Sequence, residues 1–119
     1  MEDIKEIVLE RINRYNGVWT DEGWVFVGDF YLDELDLPVL PYIKSVDCYF
    51  SCSKCPELKN LIGAPREVGG DFDCSYCPNL ISLEGAPREV SRDFYCDKRF
   101  TIEDVKKVCN VKGRIYNGD

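Results

Sequence analysis

One phrase recurs along the chain, and it constrains the fold more than any other feature. Phe50-Ser51-Cys52-Ser53-Lys54-Cys55-Pro56-Glu57-Leu58-Lys59-Asn60-Leu61 returns 22 residues later as Phe72-Asp73-Cys74-Ser75-Tyr76-Cys77-Pro78-Asn79-Leu80-Ile81-Ser82-Leu83. Gly63-Ala64-Pro65-Arg66-Glu67-Val68 likewise returns as Gly85-Ala86-Pro87-Arg88-Glu89-Val90. A third copy opens with Asp93-Phe94-Tyr95-Cys96 and then departs, and Val46, Val68 and Val90 keep the same period. Upstream, Gly28-Asp29-Phe30-Tyr31-Leu32 is a degenerate copy set 20 residues ahead, with Leu32 and Leu35 in the places of Cys52 and Cys55. A period near 22 marks stacked coils, because one such unit cannot bury its apolar face alone. Each coil is expected to hold one short strand whose alternate residues, Phe72 and Cys74 in the clearest copy, point inward. Leu80 and Leu83 close the turn. The Gly-Ala-Pro-Arg-Glu-Val segment is expected to be an irregular return, since proline cannot donate to a ladder.

Stacked coils expose core at both ends and need caps. Ile4, Ile7, Val8, Ile12 and Tyr15 share one face at helical spacing, which predicts a helix over 3–15 that Asn16-Gly17 ends. Val18-Trp19-Thr20 and Trp24-Val25-Phe26-Val27 flank Asp21-Glu22-Gly23 as a hairpin, and the two tryptophans are expected to seal the first coil. At the other end Thr101 and Asp104 are spaced for a capping box. They open a second helix with Ile102, Val105, Val108 and Cys109 on its apolar face. Arg114-Ile115-Tyr116-Asn117 lies one period beyond Phe94 and reads as a last strand, after which Gly118-Asp119 trails off. The expected organisation is a single domain, with a helix and hairpin cap over 1–27, coils over 28–97, and a helix with the last strand over 98–119.

The repeat pattern Phe72-x-Cys74-x-x-Cys77-x-x-Leu80 resembles the leucine-rich-repeat pattern, with one extra residue before the last leucine. Together with Gly69-Gly70-Asp71-Phe72-Asp73-Cys74 and Leu83-Glu84-Gly85-Ala86-Pro87-Arg88-Glu89-Val90, it resembles the short leucine-rich-repeat-like proteins common in tailed bacteriophage genomes. The resemblance covers roughly 46–97 and, weakly, 28–45. It departs from the pattern in the two-residue-short first coil and in the helix that replaces the third return. The fold expected is an α+β repeat: a short leucine-rich-repeat-like β-solenoid of about four coils with a parallel sheet. A helix plus hairpin caps one end and a helix the other. The resemblance implies a phage-encoded protein acting in a bacterial cytoplasm. It brings no catalytic residues with it.

Seven cysteines are many for 119 residues: Cys48, Cys52, Cys55, Cys74, Cys77, Cys96 and Cys109. Their odd number, and a start lacking the apolar core of a signal peptide, point to reduced thiols in the cytoplasm. Cys52, Cys55, Cys74 and Cys77 have the spacing of a four-cysteine zinc site. The repeat offers a rival reading. Cys52, Cys74 and Cys96 fall in the inward leucine column, and Cys55 and Cys77 in the column that bonds the loop backbone. Cysteine is a small, readily buried hydrophobe, and the first coil has Leu32 and Leu35 at those places. The core reading is preferred, with zinc as the alternative cofactor. Cys48 and Cys109 are the thiols expected to meet oxidants.

The chain has no histidine, no phosphate-binding glycine loop and no paired nucleophile and base, so no enzyme is expected. Its formal net charge of −7 is unevenly spread, with −7 over 1–40, −2 over 41–96 and +2 over 97–119. An acidic chain without a basic stripe is a poor binder of nucleic acid, and no apolar run is long enough to span a membrane. It is better suited to a basic protein surface. Stacking the copies puts Asp29, Tyr31 and Asp33 beside Tyr49, Ser51 and Ser53, then Asp71, Asp73 and Ser75, then Asp93, Tyr95 and Asp97. That outward face holds no lysine or arginine. Its tyrosines suit rigid anchors and its aspartates set charge preference. The function expected is a non-enzymatic interaction module that binds, and by doing so inhibits, a bacterial host or defence protein, as an anti-CRISPR-like inhibitor does. Alternatives are a zinc-binding structural protein and an acidic DNA mimic. Arg66-Glu67 and Arg88-Glu89 are expected to pair between coils on the returns. Asp33, Glu34 and Asp36 at one end, against Lys106, Lys107 and Lys112 at the other, also allow head-to-tail association of copies.

Overall fold

The computed structural model describes residues 3–118; Met1, Glu2 and Asp119, the extremes of the two expected caps, lie outside the described residues. A helix α1 (Ile4–Arg14) precedes a hairpin, β1 (Val18–Thr20) and β2 (Gly23–Phe26). The coils follow, contributing β3 (Phe30–Tyr31), β4 (Ile43–Val46), β5 (Phe50–Ser51), β6 (Glu67–Val68), β7 (Phe72–Asp73), β8 (Glu89–Val90) and β9 (Phe94–Cys96). Helix α2 (Ile102–Val108), β10 (Asn110–Val111) and β11 (Ile115–Asn117) complete the chain. The strands stack as two parallel sheets, with β1 against β2 the only antiparallel pair among the described residues. Sheet I runs β1-β2-β4-β6-β8-β10, and sheet II runs β3-β5-β7-β9-β11. This is a β-solenoid of about four coils with helices at its ends.

Sheet II is the strand array that the repeat announces. Phe30, Phe50, Phe72 and Phe94 pair in register, and all four are fully buried. With Phe26 they form one spine of rings whose successive centroids lie 3.9–6.0 Å apart. Leu32, Cys52, Cys74 and Cys96 lie behind them in the core, as do Leu58, Leu61, Leu80 and Leu83. Sheet I was not expected. The return segment is irregular only as far as its proline, then extends through Glu67–Val68 and Glu89–Val90. The reason lies in the neighbouring coil. Pro65 and Pro87 lack an N–H, but the next residue has one, and Arg66 N donates to Lys44 O at 3.0 Å while Arg88 N donates to Arg66 O at 2.8 Å. Val46, Val68 and Val90 then turn into the core opposite the phenylalanines.

The caps are mostly as expected, with three differences. Asp3 caps α1 by accepting from Lys5 N, Ile12 is buried, and Asn16 takes the left-handed conformation that ends the helix. The hairpin forms, and the fully buried Phe26 seals the first coil with help from Trp24, half-buried against the core, but not from Trp19. Trp19 is 57% exposed and packs edge-on against Trp24. Trp19 lies on β1, the outermost strand of sheet I, and so stays open to solvent, while Trp24, two residues before Phe26 on the next strand, packs against the core. Thr101 and Asp104 form the expected capping box on α2. That helix has only two turns, so it buries Val105 and, just past its end, Cys109, while Ile102 and Val108 are exposed. Cys109 is therefore not a surface thiol; Cys48 is. Of the expected ion pairs between returns, Arg88 with Glu67 forms at the surface, at 3.9 Å, while Glu89 pairs with Lys112 instead, at 3.5 Å. They contribute little at that exposure.

The edge strand β3 is covered. Arg11 of α1 donates from its guanidinium to the carbonyls of Tyr31, at 3.2 Å, and Asp33, at 3.5 Å. These are the acceptors that a further strand would use. Head-to-tail stacking on this edge would have to displace α1.

Candidate protein-interaction face

The outward side of sheet II is built by three columns. The register places Tyr31, Ser51, Asp73, Tyr95 and Tyr116 in the middle column. Asp29, Tyr49, Asp71 and Asp93 precede the inward phenylalanines, and Asp33, Ser53, Ser75 and Asp97 follow the strands. All nine predicted acid and tyrosine positions therefore come together on one side of the solenoid. They do not form a freely solvated surface. Apart from Asp29, which is exposed, each is partly buried. Ser51 and Ser53, expected to face outward, are buried beneath it. The Asp33 carboxylate accepts from the Ser51 hydroxyl and from Ser53 N, drawing both serines under the face.

The aspartates act as latches between coils, which sequence reasoning missed. Asp29 accepts from Tyr49 N at 2.9 Å, Asp71 from Asp93 N at 2.9 Å, and Asp93 from Arg114 N at 2.8 Å. Each carboxylate thus satisfies the amide at the equivalent place of the next coil. At the other ends of the strands Asp97 reaches back to Tyr76 N and Cys77 N. Asp73 accepts from Ser75 N and from the Tyr49 hydroxyl, at 3.2 Å. Charged acceptors on backbone amides make short, strong hydrogen bonds. The recurring Asp-Phe pair at Asp29-Phe30, Asp71-Phe72 and Asp93-Phe94 was the available signal. The latches hold the carboxylates in fixed positions along the face.

The tyrosines are stacked and rigid. Tyr31 packs on Tyr49 with ring centroids 5.2 Å apart, and Tyr15 of α1 packs on Tyr31 at 5.5 Å. At the other end Tyr95 and Tyr116 lie nearly parallel, 4.9 Å apart at 10°. Tyr15 and Tyr116 extend the predicted set. Tyr116 sits 21 residues after Tyr95, so the repeat itself would have found it. Burial first, then the nearby aspartates, pushes the phenols of Tyr31, Tyr49 and Tyr95 up. They stay neutral and can donate hydrogen bonds.

The cysteines lie inside. Cys52, Cys55, Cys74 and Cys77 are fully buried. Cys55 Sγ lies 3.2 Å from Leu32 O and Cys77 Sγ 3.2 Å from Cys52 O, so both thiols donate to the preceding coil's backbone. This is the role expected of that column. Among the described residues no group of three or more metal-ligating side chains converges on a point. The four cysteines occupy two columns one coil apart, and two of their sulfurs already serve the backbone. Burial pushes the Cys52 and Cys74 thiols well up, and the Cys77 thiol beside it, together with burial, does the same to Cys55. Thiols held protonated in this way are poor nucleophiles.

Among the described residues no helix is long and apolar enough to cross a membrane. Comparison with known proteins finds no matching family model and no similar curated protein or solved structure.

Proposed function

We propose that the chain is a non-enzymatic protein–protein interaction module that engages a partner with a basic surface through the outward side of sheet II. The observation that carries this reading is the side chains on that face. Six aspartates and three tyrosines share one ordered surface with no lysine or arginine among them. Stacked tyrosines give contact area at little entropic cost, and fixed carboxylates steer a cationic partner toward it. The repeat phrase and its resemblance to short phage solenoids support a bacterial host or defence protein as the target, with inhibition by occlusion as the consequence.

The test is capture from bacterial lysate with the tagged full chain, followed by mass spectrometry of the retained protein. Tyr31→Ala and Tyr95→Ala are the variants of choice, because the aspartates also latch coils and their loss would confound folding. A single partner is expected. It should be released by salt, since exposed charges are screened within about 10 Å at 0.1 M. It should also be lost from the double variant while the melting temperature holds. Undiminished capture by the double variant would refute the assignment of this face.

A further inference from the structure

At its α2 end the face carries a small pocket of about 220 Å³, lined mainly by Asp73, Ser75, Tyr76, Tyr95, Asp97 and Tyr116. It lies below the roughly 300–1,000 Å³ of sites for drug-sized ligands, so its scale is that of one side chain. Its walls are aromatic. The stacked pair Tyr95 and Tyr116 provides one, and Tyr76, itself 61% exposed, another. Among the described residues, its charged lining groups are the carboxylates of Asp73 and Asp97. Both are oriented by backbone amides, of Ser75 for the first and of Tyr76 and Cys77 for the second. A carboxylate has about four acceptor sites, so each retains capacity toward a ligand.

Aromatic faces and fixed negative charge together select a cation. Between the two cations a protein can offer, the site suits guanidinium. It is planar, is weakly hydrated, stacks on aromatic rings and donates to two acceptors at once, whereas an ammonium is a strongly hydrated point charge. The guanidinium of Arg99, which lines an adjoining hollow, does not compete, because it donates to the carbonyls of Pro78 at 2.9 Å and Leu80 at 2.8 Å. A larger, open hollow adjoins the pocket and shares Tyr76 and Asp97 with it. It leaves room for the main chain that would carry the incoming side chain.

We propose that this pocket anchors a single arginine side chain of the partner. The inference rests on the reading of sheet II as the interaction face, and it narrows that reading to one residue type at one end.

The test uses the full chain and no partner. N-acetyl-arginine N-methylamide is titrated while the tyrosine ring resonances are followed by NMR, with the capped lysine and glutamine amides as comparators. Saturable shifts are expected at Tyr76, Tyr95 and Tyr116, at least about threefold weaker binding is expected for lysine, and none for glutamine. Tyr116→Ala, on an edge strand and 41% exposed, should weaken arginine binding about tenfold without unfolding the chain, as loss of a stacking wall implies. Tyr31→Ala at the far end should leave it unchanged. Absence of saturation, an equal response to lysine, or equal shifts at Tyr31 and Tyr49 would overturn the proposal. A chain that captures a basic protein yet ignores arginine here refutes the pocket and leaves the interaction face standing. Arginine binding without a partner does the reverse.

Discussion

Replacing Asp71 by alanine separates the two roles of the acidic face. Its carboxylate accepts from Asp93 N at 2.9 Å, across one coil interface in a partly buried setting. A hydrogen bond to a charged group is worth roughly 1.5–3 kcal/mol. Water can reach the freed amide in part, so the loss should be about 1–2 kcal/mol. Unfolding entropy of about 2.1 cal/mol/K per residue makes each kcal/mol worth roughly 4 °C for a chain of this length. The expected fall in melting temperature is therefore about 4–8 °C, read by circular dichroism and checked as a lower urea midpoint. Asp71→Asn keeps an acceptor oxygen and should lose less than half as much. Asp36→Ala removes an exposed acid from the same chain and should stay within about 0.5 kcal/mol of the parent. Repulsion between neighbouring aspartates acts in the opposite direction. If the row served binding alone, Asp71→Ala would be neutral or stabilising. A melting temperature unchanged or raised in Asp71→Ala would refute the latch.

Two further outcomes follow from the cysteines. Of the seven, Cys48 alone is exposed, so a thiol reagent should label one site in the native chain and seven after denaturation. A chelator should leave the melting temperature and this labelling pattern unchanged, and labelling that rises on chelation would reinstate zinc on Cys52, Cys55, Cys74 and Cys77. Stability should also fall on the alkaline side. Burial pushes the thiols of Cys96 and Cys109 up to about 12. A folded-state value above the unfolded one, about 8.5, makes the folded chain hold more protons. Stability is then whole below about pH 8.5 and is lost progressively toward pH 12. Urea midpoints measured from pH 7 to 11 should hold to about pH 8.5 and fall beyond it, and a profile flat to pH 11 would contradict the burial of these groups.

Much of this architecture was legible because the copies check one another. Phe50, Phe72 and Phe94 identify the inward column by repetition, and Leu32 and Leu35 show that Cys52 and Cys55 stand in apolar places. The face was legible for the same reason, since a period of 22 places Asp71 over Tyr49 and under Asp93. What escaped was whatever exists only once coils are stacked. Glu67–Val68 is too short, and too close to Pro65 and Gly69, to look like a strand by itself; its ladder comes from its neighbours. The aspartate latches run between residues about 20–22 apart, beyond the reach of any local motif. Trp19 misled because size suggests burial, whereas its strand, β1, is the outermost of sheet I; Trp24 does pack against the core.

The corner between the two sheets has constant length. Phe26 and Phe30, Val46 and Phe50, Val68 and Phe72, Val90 and Phe94, and Val111 and Ile115 are each four positions apart, with three residues between them. The arc on the far side varies: it is two residues short in the first coil, and in the last it is rebuilt around a helix. At Gly69 and Gly70 the corner also lies close against the coil before, where a Cβ would strike the backbone of Asp47 or Cys48. Growth and loss in such a chain therefore proceed by whole phrases. A duplicated stretch from Gly69 to Val90 would join its own copy at a corner of the same length. It would lengthen the molecule by about 4.8 Å, the spacing of neighbouring strands, and leave both caps as they are. The acidic side would gain one more row of the same make, so the reach of this surface is a quantity that evolution can adjust in unit steps.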